Sequence, residues 1–430
     1  MTQAPTSTAE RGASAARPVI LHLAVEYNDP HKPKTTNAVE RLVEGLPEFD
    51  HVVISMTRVA DPRATYMRDC GTIGPARVFA HAFLGLPFGM GLKASMKRAA
   101  RQVRALLERE GIRPDLLHAH KFTFEGIEAS FLAQMLGVPY FVSSRGEVET
   151  KIFRLKPTYR PFLRRVAREA AGIMHVSAWF RDEYHSHVPA REDERLLPNF
   201  VKNVAPRIEP SAPGGRFVSI LNLDTWKRKR LGVLLKGFAR ALEREPGLRL
   251  DVIGGGSDAS RAIAERLARD AGVTHAVDFV GSLPNDELIA RLPHYRALLL
   301  PSANETFGMV YVEALFAGVP ILYTRETGID GYLDGLDVGI GVPVDDADAV
   351  ADAVMRLDGE AEGFRERLAA AGPELFQRFD RERLLAVYRS DVARALGRAE
   401  LAHPASGAST PARPDPGEAP AARERERTAP

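Results

Sequence analysis

Short, almost wholly apolar runs alternate with helical patterns along most of this chain, and the alternation stops once and then restarts. Val19 to Val25 reads as a buried strand, followed by a helix near Asn37 to Gly45 and a strand at Val52 to Met56. A long helix, Leu92 to Glu110, leads to a strand at Leu116 to Ala119. A helix from Gly126 to Leu136 then leads to a strand at Tyr140 to Ser143. The break is Val204 to Gly215, where Pro206, Pro210, Pro213, Gly214 and Gly215 crowd together. After it come strands at Val218 to Leu223, Leu250 to Ile253, Val277 to Val280, Ala297 to Leu300 and Pro320 to Tyr323. They are separated by helices at Leu231 to Glu245, Ala259 to Ala271, Asp286 to Leu292 and Gly308 to Ala317. Continuous apolar strands separated by helices imply parallel sheets covered on both faces. Two such runs imply an α/β chain of two doubly wound domains, with any ligand between the carboxyl ends of the two sheets.

This pattern sets the expected boundaries. Residues 1–16 and 400–430 offer little to bury and are expected to be disordered. The first domain is 17–205, the linker 206–215 and the second domain 216–376. An amphipathic segment at 377–399 is expected to pack back toward the first domain. A single cysteine, Cys70, excludes an internal disulfide and points to a reducing compartment. No window reaches the ~20 apolar residues of a membrane span; the best, Val78 to Leu92, contains His81, Gly85, Pro87, Gly89 and Gly91. The N-terminus lacks the apolar core of a secretory signal, so a cytoplasmic protein is expected. The net charge of +2 hides an asymmetry: residues 17–208 carry +8 and residues 209–430 carry −6.

The segment Pro301-Ser-Ala-Asn-Glu-Thr-Phe-Gly-Met-Val-Tyr-Val-Glu-Ala-Leu-Phe-Ala-Gly-Val-Pro320 carries the chemistry. It follows an apolar strand and opens a helix, so Glu305 lies in the loop and Glu313 on the helix. The amides of Phe307, Gly308 and Met309 are unpaired donors at a helix start, where they and the dipole favour a phosphate. Five residues from Gly308 to Glu313 span about 7–8 Å of helix, roughly the reach from a diphosphate to a ribose.

This segment resembles the signature of glycosyltransferase family four, retaining enzymes that use nucleotide sugars and have two facing Rossmann-like domains, the GT-B fold. Val252-Ile253-Gly254-Gly255-Gly256, Val280-Gly281-Ser-Leu-Pro284, Asp115-Leu-Leu-His118-Ala-His120 and Leu197-Pro198-Asn199 resemble other landmarks of the same family. The resemblance covers about residues 19–395 and implies roles residue by residue. Glu305 would contact the donor sugar and Glu313 the ribose. Gly254 and Gly256 would form the nucleotide-side loop. Lys229 would bind the diphosphate, with Lys227 as the alternative because the Lys227-Arg-Lys-Arg230 run leaves the register open. His120, at a strand end, would reach the donor sugar or sit as a bonded histidine beneath a loop. The resemblance further implies same-face transfer, the leaving phosphate taking the acceptor's proton, and no metal or other cofactor.

The chain departs from the family pattern in three places. Asp224 stands where an arginine usually precedes the phosphate lysine, leaving Arg228 or Arg230 to substitute. Arg145-Gly146 replaces a common His-Gly, so Arg145 suits the acceptor or phosphate side but cannot shuttle a proton. The loop Asp29 to Asn37 lacks the usual Gly-Gly pair; Thr35, Thr36 or Asn37 would offer a helix start to phosphate or simply cap it. With only His118 and His120 at ligand spacing and no acidic partner, no metal site is expected. Asp345-Asp346-Ala-Asp348 reads as a helix cap.

A nicotinamide dehydrogenase is excluded because Glu26-Tyr27-Asn28-Asp29-Pro30 is no Gly-x-Gly-x-x-Gly. No nucleic-acid partner is expected, since Lys227 to Arg230 lies in the acidic half. The expectation is a sugar transferred from a nucleotide-sugar donor to a glycan or lipid-linked acceptor in cell-surface polysaccharide synthesis. A 2-epimerase of the same fold and a non-catalytic nucleotide-sugar binder are the alternatives. Lys93, Lys97, Arg98, Arg101 and Arg104, with a second basic run at Arg154 to Arg168, would seat the first domain on an anionic membrane surface or form ordinary solvated faces.

Overall fold

The computed structural model describes residues 17–402 except 34–35, 147, 203, 206 and 209–213. The expected disordered ends, Thr35 and much of the linker lie outside the described residues. Residues Ala399–Ala402 form one 3₁₀ turn, so ordered chain runs slightly past the expected boundary at 399.

The first sheet has eight strands: β1 (Val19–Ala24), β2 (Asp50–Val59), β3 (Tyr66–Ile73), β4 (Ala76–Leu84), β5 (Leu116–Ala119), β6 (Tyr140–Ser144), β7 (Gly172–His175) and β8 (Glu194–Leu196). Their order is β3-β4-β2-β1-β5-β6-β7-β8. Its helices are α1 (Ala38–Glu44), α2 (Leu92–Glu110), α3 (Phe124–Leu136), α4 (Glu149–Leu155), α5 (Arg160–Glu169) and α6 (Arg181–His187). The second sheet comprises β9 (Arg216–Ile220), β10 (Leu250–Ile253), β11 (Val277–Gly281), β12 (Tyr295–Leu299), β13 (Ile321–Thr324) and β14 (Gly339–Val342), in the order β11-β10-β9-β12-β13-β14. Around it lie α7 (Leu231–Arg244), α8 (Asp258–Asp270), α9 (Asn285–Arg291), α10 (Met309–Phe316), α11 (Ala347–Gly359) and α12 (Ala361–Phe379). The final helix is α13 (Arg381–Leu396). The chain therefore has the two doubly wound α/β sheets that the sequence implies.

One expectation needs correction. Residues 66–84 build a hairpin, β3 antiparallel to β4, so the first sheet is not purely parallel. The apolar run in Val78 to Leu92 is a strand buried beside β2, not a truncated span. β3 keeps charged residues such as Arg68 and Asp69 exposed, as edge strands commonly do. Among the described residues, no helix is long and apolar enough to cross a membrane.

Helix α2 shows why the pattern was legible: Leu92, Met96, Ala99, Ala100, Val103, Leu106 and Leu107 recur at helical spacing and are the buried positions. Helix α12 runs unbroken through 376, so the expected end of the second domain falls inside it. The following helix, α13, returns to the first sheet. Its Leu384, Leu385, Tyr388 and Val392 pack with Ile20, Leu46, Phe49, Leu116, Phe141 and Met174. Each large apolar side chain buried there contributes roughly 1.5–3 kcal/mol. Arg389 adds an ion pair with Glu48 and donates to the Gly45 carbonyl at 3.1 Å.

The two halves also touch across the cleft. The Ser177 hydroxyl lies 2.6 Å from the Thr306 carbonyl, and Tyr332 donates to the Val176 carbonyl at 3.0 Å. On the other flank, Arg41 of α1 reaches Met309 Sδ at 3.3 Å.

Candidate active site

Strand β12 ends at Leu299, and the chain turns through Asn304, at φ 52°, and Gly308, at φ 76°, before α10 begins. The left-handed turn at 308 favours glycine, and a Cβ there would meet the Tyr311 ring at 2.5 Å. Among the described residues, the amides of Phe307, Gly308 and Met309 have no acceptor. The Phe307 side chain itself is fully buried against Tyr332 and Phe379, so only its backbone can serve a ligand.

Glu305 and Lys229 form an ion pair, with side chains 12% and 13% exposed. The two lysines of the Lys227-Arg-Lys-Arg230 run take different partners. Lys229 reaches Glu305, whereas Lys227 lies over the Trp226 ring at 5.3 Å. Thr327 opens the segment Thr327 to Gly331, which the sequence resemblance sets beside the donor sugar, and it anchors the Glu305 backbone. Its hydroxyl accepts from the Glu305 amide at 2.7 Å and donates to the Glu305 carbonyl at 3.0 Å.

Glu313 sits on α10, its side chain 9% exposed, with the Arg41 guanidinium 4.0 Å away. Burial raises its carboxyl above the usual range, and Arg41 only partly offsets this. Arg41 lies on α1, and nothing in its local sequence distinguishes it from a solvated helix residue.

Gly254, at φ 145°, packs so closely that a Cβ would meet the Leu221 carbonyl oxygen at 1.7 Å; at Gly256 a Cβ would meet Leu223 Cβ at 2.8 Å. Beside this loop, Asp224 accepts from the Ser257 amide at 2.9 Å and the Ser257 hydroxyl at 2.7 Å. It therefore fastens the start of α8 where a cation was expected. Of the suggested substitutes, Arg230 is paired with Asp345. Asp346, as expected, caps α11 by accepting from Ala349 at 2.9 Å.

Across the cleft, His120 is 3% exposed, and its Nε2 lies 3.0 Å from Nδ1 of His22. Arg145 is 4% exposed; its Nε donates to the His120 carbonyl at 2.7 Å, and its NH1 lies 3.7 Å from Glu26 Oε2. Lys121 holds the other Glu26 oxygen at 2.8 Å. Burial would raise the Glu26 carboxyl, but Arg145 and Lys121 outweigh it and hold it below its usual range. Glu26 and Lys121, adjacent to motif positions, were missed because only the fold brings them together. Thr36 accepts from the Ala38 amide at 3.3 Å, one residue before the N-cap position, Asn37, whose own side chain caps nothing.

The premise that only two histidines could meet at metal spacing is corrected. His22, His118 and His120 bring ring nitrogens within 4.8 Å of one another, as do His175 and His185 with Glu194. In both groups the close nitrogens already lie at hydrogen-bond distance from a partner: His22 and His120 at 3.0 Å, and each of His175 and His185 at 3.3 Å from Glu194 Oε2.

A cavity of about 1090 Å³ lies between the halves and is lined by Arg154, Trp179, Arg181, Arg230, Asn304 and Glu326, among others. It borders the neighbours of Glu305 but not Glu305, Lys229 or Glu313. The convergence of paired charges, a glycine turn and unpaired amides marks the site better than volume does.

Two family descriptions match successive parts of the chain. "Glycosyl transferase 4-like domain" matches residues 35–199, and "Glycosyl transferases group 1" matches residues 215–358. The chain is 35% identical over 130 residues to a D-inositol 3-phosphate glycosyltransferase of Corynebacterium jeikeium, a match covering 29% of this chain and 31% of the relative. It thus spans about a third of the length of that relative. Over a longer stretch it is 23% identical to the N-acetyl-alpha-D-glucosaminyl L-malate synthase of Bacillus anthracis, covering 71% and 78% of the two chains. Sucrose-phosphate synthase from Thermosynechococcus elongatus shares the fold at TM-score 0.66 and 19% identity, covering 89% of this chain and 100% of that one. With the Glu305–Glu313 helix start between two doubly wound sheets, these matches place the chain in glycosyltransferase family four, with the GT-B fold.

Proposed function

We propose that this protein transfers a sugar from a nucleotide-sugar donor to a glycan or lipid-linked acceptor, with retention at the anomeric carbon and without a metal, in cell-surface polysaccharide synthesis. The observation that carries the reading is the Lys229–Glu305 pair at the start of α10, with Glu313 on the same helix. In this reading the free amides of 307–309 and Lys229 bind the donor diphosphate, which stabilises the departing nucleotide as charge develops on it. Glu313 binds the ribose, and Glu305, its backbone fixed by Thr327, orients the sugar. The leaving phosphate takes the acceptor's proton on the same face.

The acceptor approaches from the basic half, past Arg145 and His120. Relatives named for D-inositol 3-phosphate, L-malate and phosphatidylinositol monomannoside suit an anionic or lipid-held acceptor. Lys93, Lys97, Arg98, Arg101 and Arg104 lie on α2, with α5 carrying further arginines, and would face an anionic inner membrane surface in the cytoplasm.

A thermal-shift series with UDP-, GDP- and ADP-sugars tests the reading, because a ligand that binds only the folded chain stabilises it by RT ln(1 + [L]/Kd). A shift with one nucleotide series is expected. No shift with any of them removes the proposal. Product anomers then report retention, chelator treatment reports metal dependence, and flotation with anionic liposomes reports membrane association.

A further inference from the structure

Three histidines lie on one face of adjacent strands: His22 of β1 is opposite His118 of β5, and His51 of β2 is opposite Ile20, two residues before His22 on β1. Paired positions share a face of the sheet, and His120, two residues beyond His118, falls on the same face. All four rings are buried at 4% exposure or less. Burial pushes each one below its usual range, His118 to about 3. They are therefore neutral at ordinary pH, and each ring carries one N–H.

Neutral rings in a row must agree on which nitrogen holds the proton. The row ends on a group that leaves no choice: Nε2 of His51 lies 2.9 Å from the Leu46 carbonyl, which can only accept. His51 therefore carries its proton on Nε2, and its bare Nδ1, 3.0 Å from His22 Nε2, accepts from that nitrogen. The bare Nδ1 of His22, 3.0 Å from His120 Nε2, accepts in turn. His120 is left with its proton on Nε2 and with Nδ1 bare, and among the described residues Nδ1 has no partner. His118 stands outside this series, held by the hydroxyls of Tyr388 on Nδ1 and Ser143 on Nε2, each at 3.0 Å. Hydroxyls either donate or accept, so they impose no direction.

We propose that His22 and His51 are positioning residues that fix the tautomer of His120 from the Leu46 carbonyl, so that His120 Nδ1 is kept as a hydrogen-bond acceptor for a substrate hydroxyl in the cleft. This rests on the transferase reading for the hydroxyl, but not for the tautomer. With the opposite tautomer, His120 would present an N–H and could not accept.

The full chain labelled with ¹⁵N-histidine tests it through long-range proton–nitrogen correlations at neutral pH, assigned with single-histidine variants. The expected pattern is His51, His22 and His120 all protonated on Nε2. A His120 signal protonated on Nδ1 or on both nitrogens overturns the proposal, as does uptake of one equivalent of Zn²⁺ with loss of the Nε2 protons. His51→Phe removes the anchor, while His51→Asn keeps an acceptor near the place of Nδ1. The first is expected to mix the His120 tautomers and lower kcat/KM about tenfold, the worth of one site hydrogen bond, with nucleotide affinity unchanged. The second is expected to restore both. Equal kcat/KM in the two variants overturns the proposal. The expected tautomers without transfer to any acceptor would remove the transferase reading and leave the relay standing.

Discussion

Replacing Lys229 by methionine removes one partner of the Lys229–Glu305 pair, and its cost follows from the burial of both side chains. Fully exposed pairs contribute about 0.2–1 kcal/mol, whereas breaking a fully buried pair costs about 3–5 kcal/mol because the remaining charge is stranded. With 13% and 12% of the two side chains exposed, the pair lies nearer the buried limit, and a loss of about 2–3 kcal/mol is expected. Glu305→Gln strands the ammonium and should cost a similar amount. The double variant strands nothing and should recover most of the loss, giving a coupling of about 3–5 kcal/mol in a double-mutant cycle read by urea denaturation. Nucleotide titration separates the roles. Lys229→Met should weaken binding of the matching nucleoside diphosphate about ten- to a hundredfold, the worth of a hydrogen bond to a charged group. Glu305→Gln should bind that diphosphate at least as well as the parent while losing transfer. A coupling below about 0.5 kcal/mol, the scatter of independent sites, would refute the pair. Unaltered diphosphate binding by Lys229→Met would refute the phosphate role.

Three further outcomes follow from the geometry. Burial raises the Glu313 carboxyl in the folded chain, so its contribution to stability is present at acid pH and is lost as pH rises through its folded value; Glu313→Gln should be more stable than the parent in urea at pH 8, with the gap closing toward pH 4, and should bind nucleotide less tightly. Glu128 is fully buried, neither carboxylate oxygen has a partner among the described residues, and burial pushes it well above its usual range; Glu128→Leu should stabilise the chain at neutral pH, again with the difference fading in acid, and equal stability at pH 7 would contradict the assignment. Gly254→Ala should destabilise more than Gly308→Ala, because its Cβ meets a backbone carbonyl at 1.7 Å while the Cβ at 308 meets a side-chain ring at 2.5 Å; at 308 a cost of about 1–3 kcal/mol is expected, and the reverse order in thermal unfolding would count against the close approach at 254.

Local pattern determined the elements whose periodicity is strong. Helix α2 and strands β5 and β10 have the bounds read from the apolar spacing, because the residues that repeat are the ones that become buried. The hairpin β3–β4 was not legible, since Tyr66 to Ile73 has no clean alternation and forms an edge with little to bury. Strands β7 and β14 were too short, four residues each with glycine inside, to stand out from loop.

The site divides in the same way. Glu305, Gly308 and Glu313 belong to one contiguous segment, so their shared loop and helix follow from sequence spacing alone. Everything that depends on long-range approach was decided by the tertiary fold. Lys229 rather than Lys227 meets Glu305, 76 residues away, and Thr327 anchors the Glu305 backbone from 22 residues away. Arg41 faces Glu313 across the cleft between the two halves. The histidine row exists only because parallel pairing sets His22 opposite His118 and His51 opposite Ile20, on the same face of the sheet. Sequence specifies what each strand and helix buries; register and packing specify which polar groups then face one another, and a linear pattern carries no record of that distance.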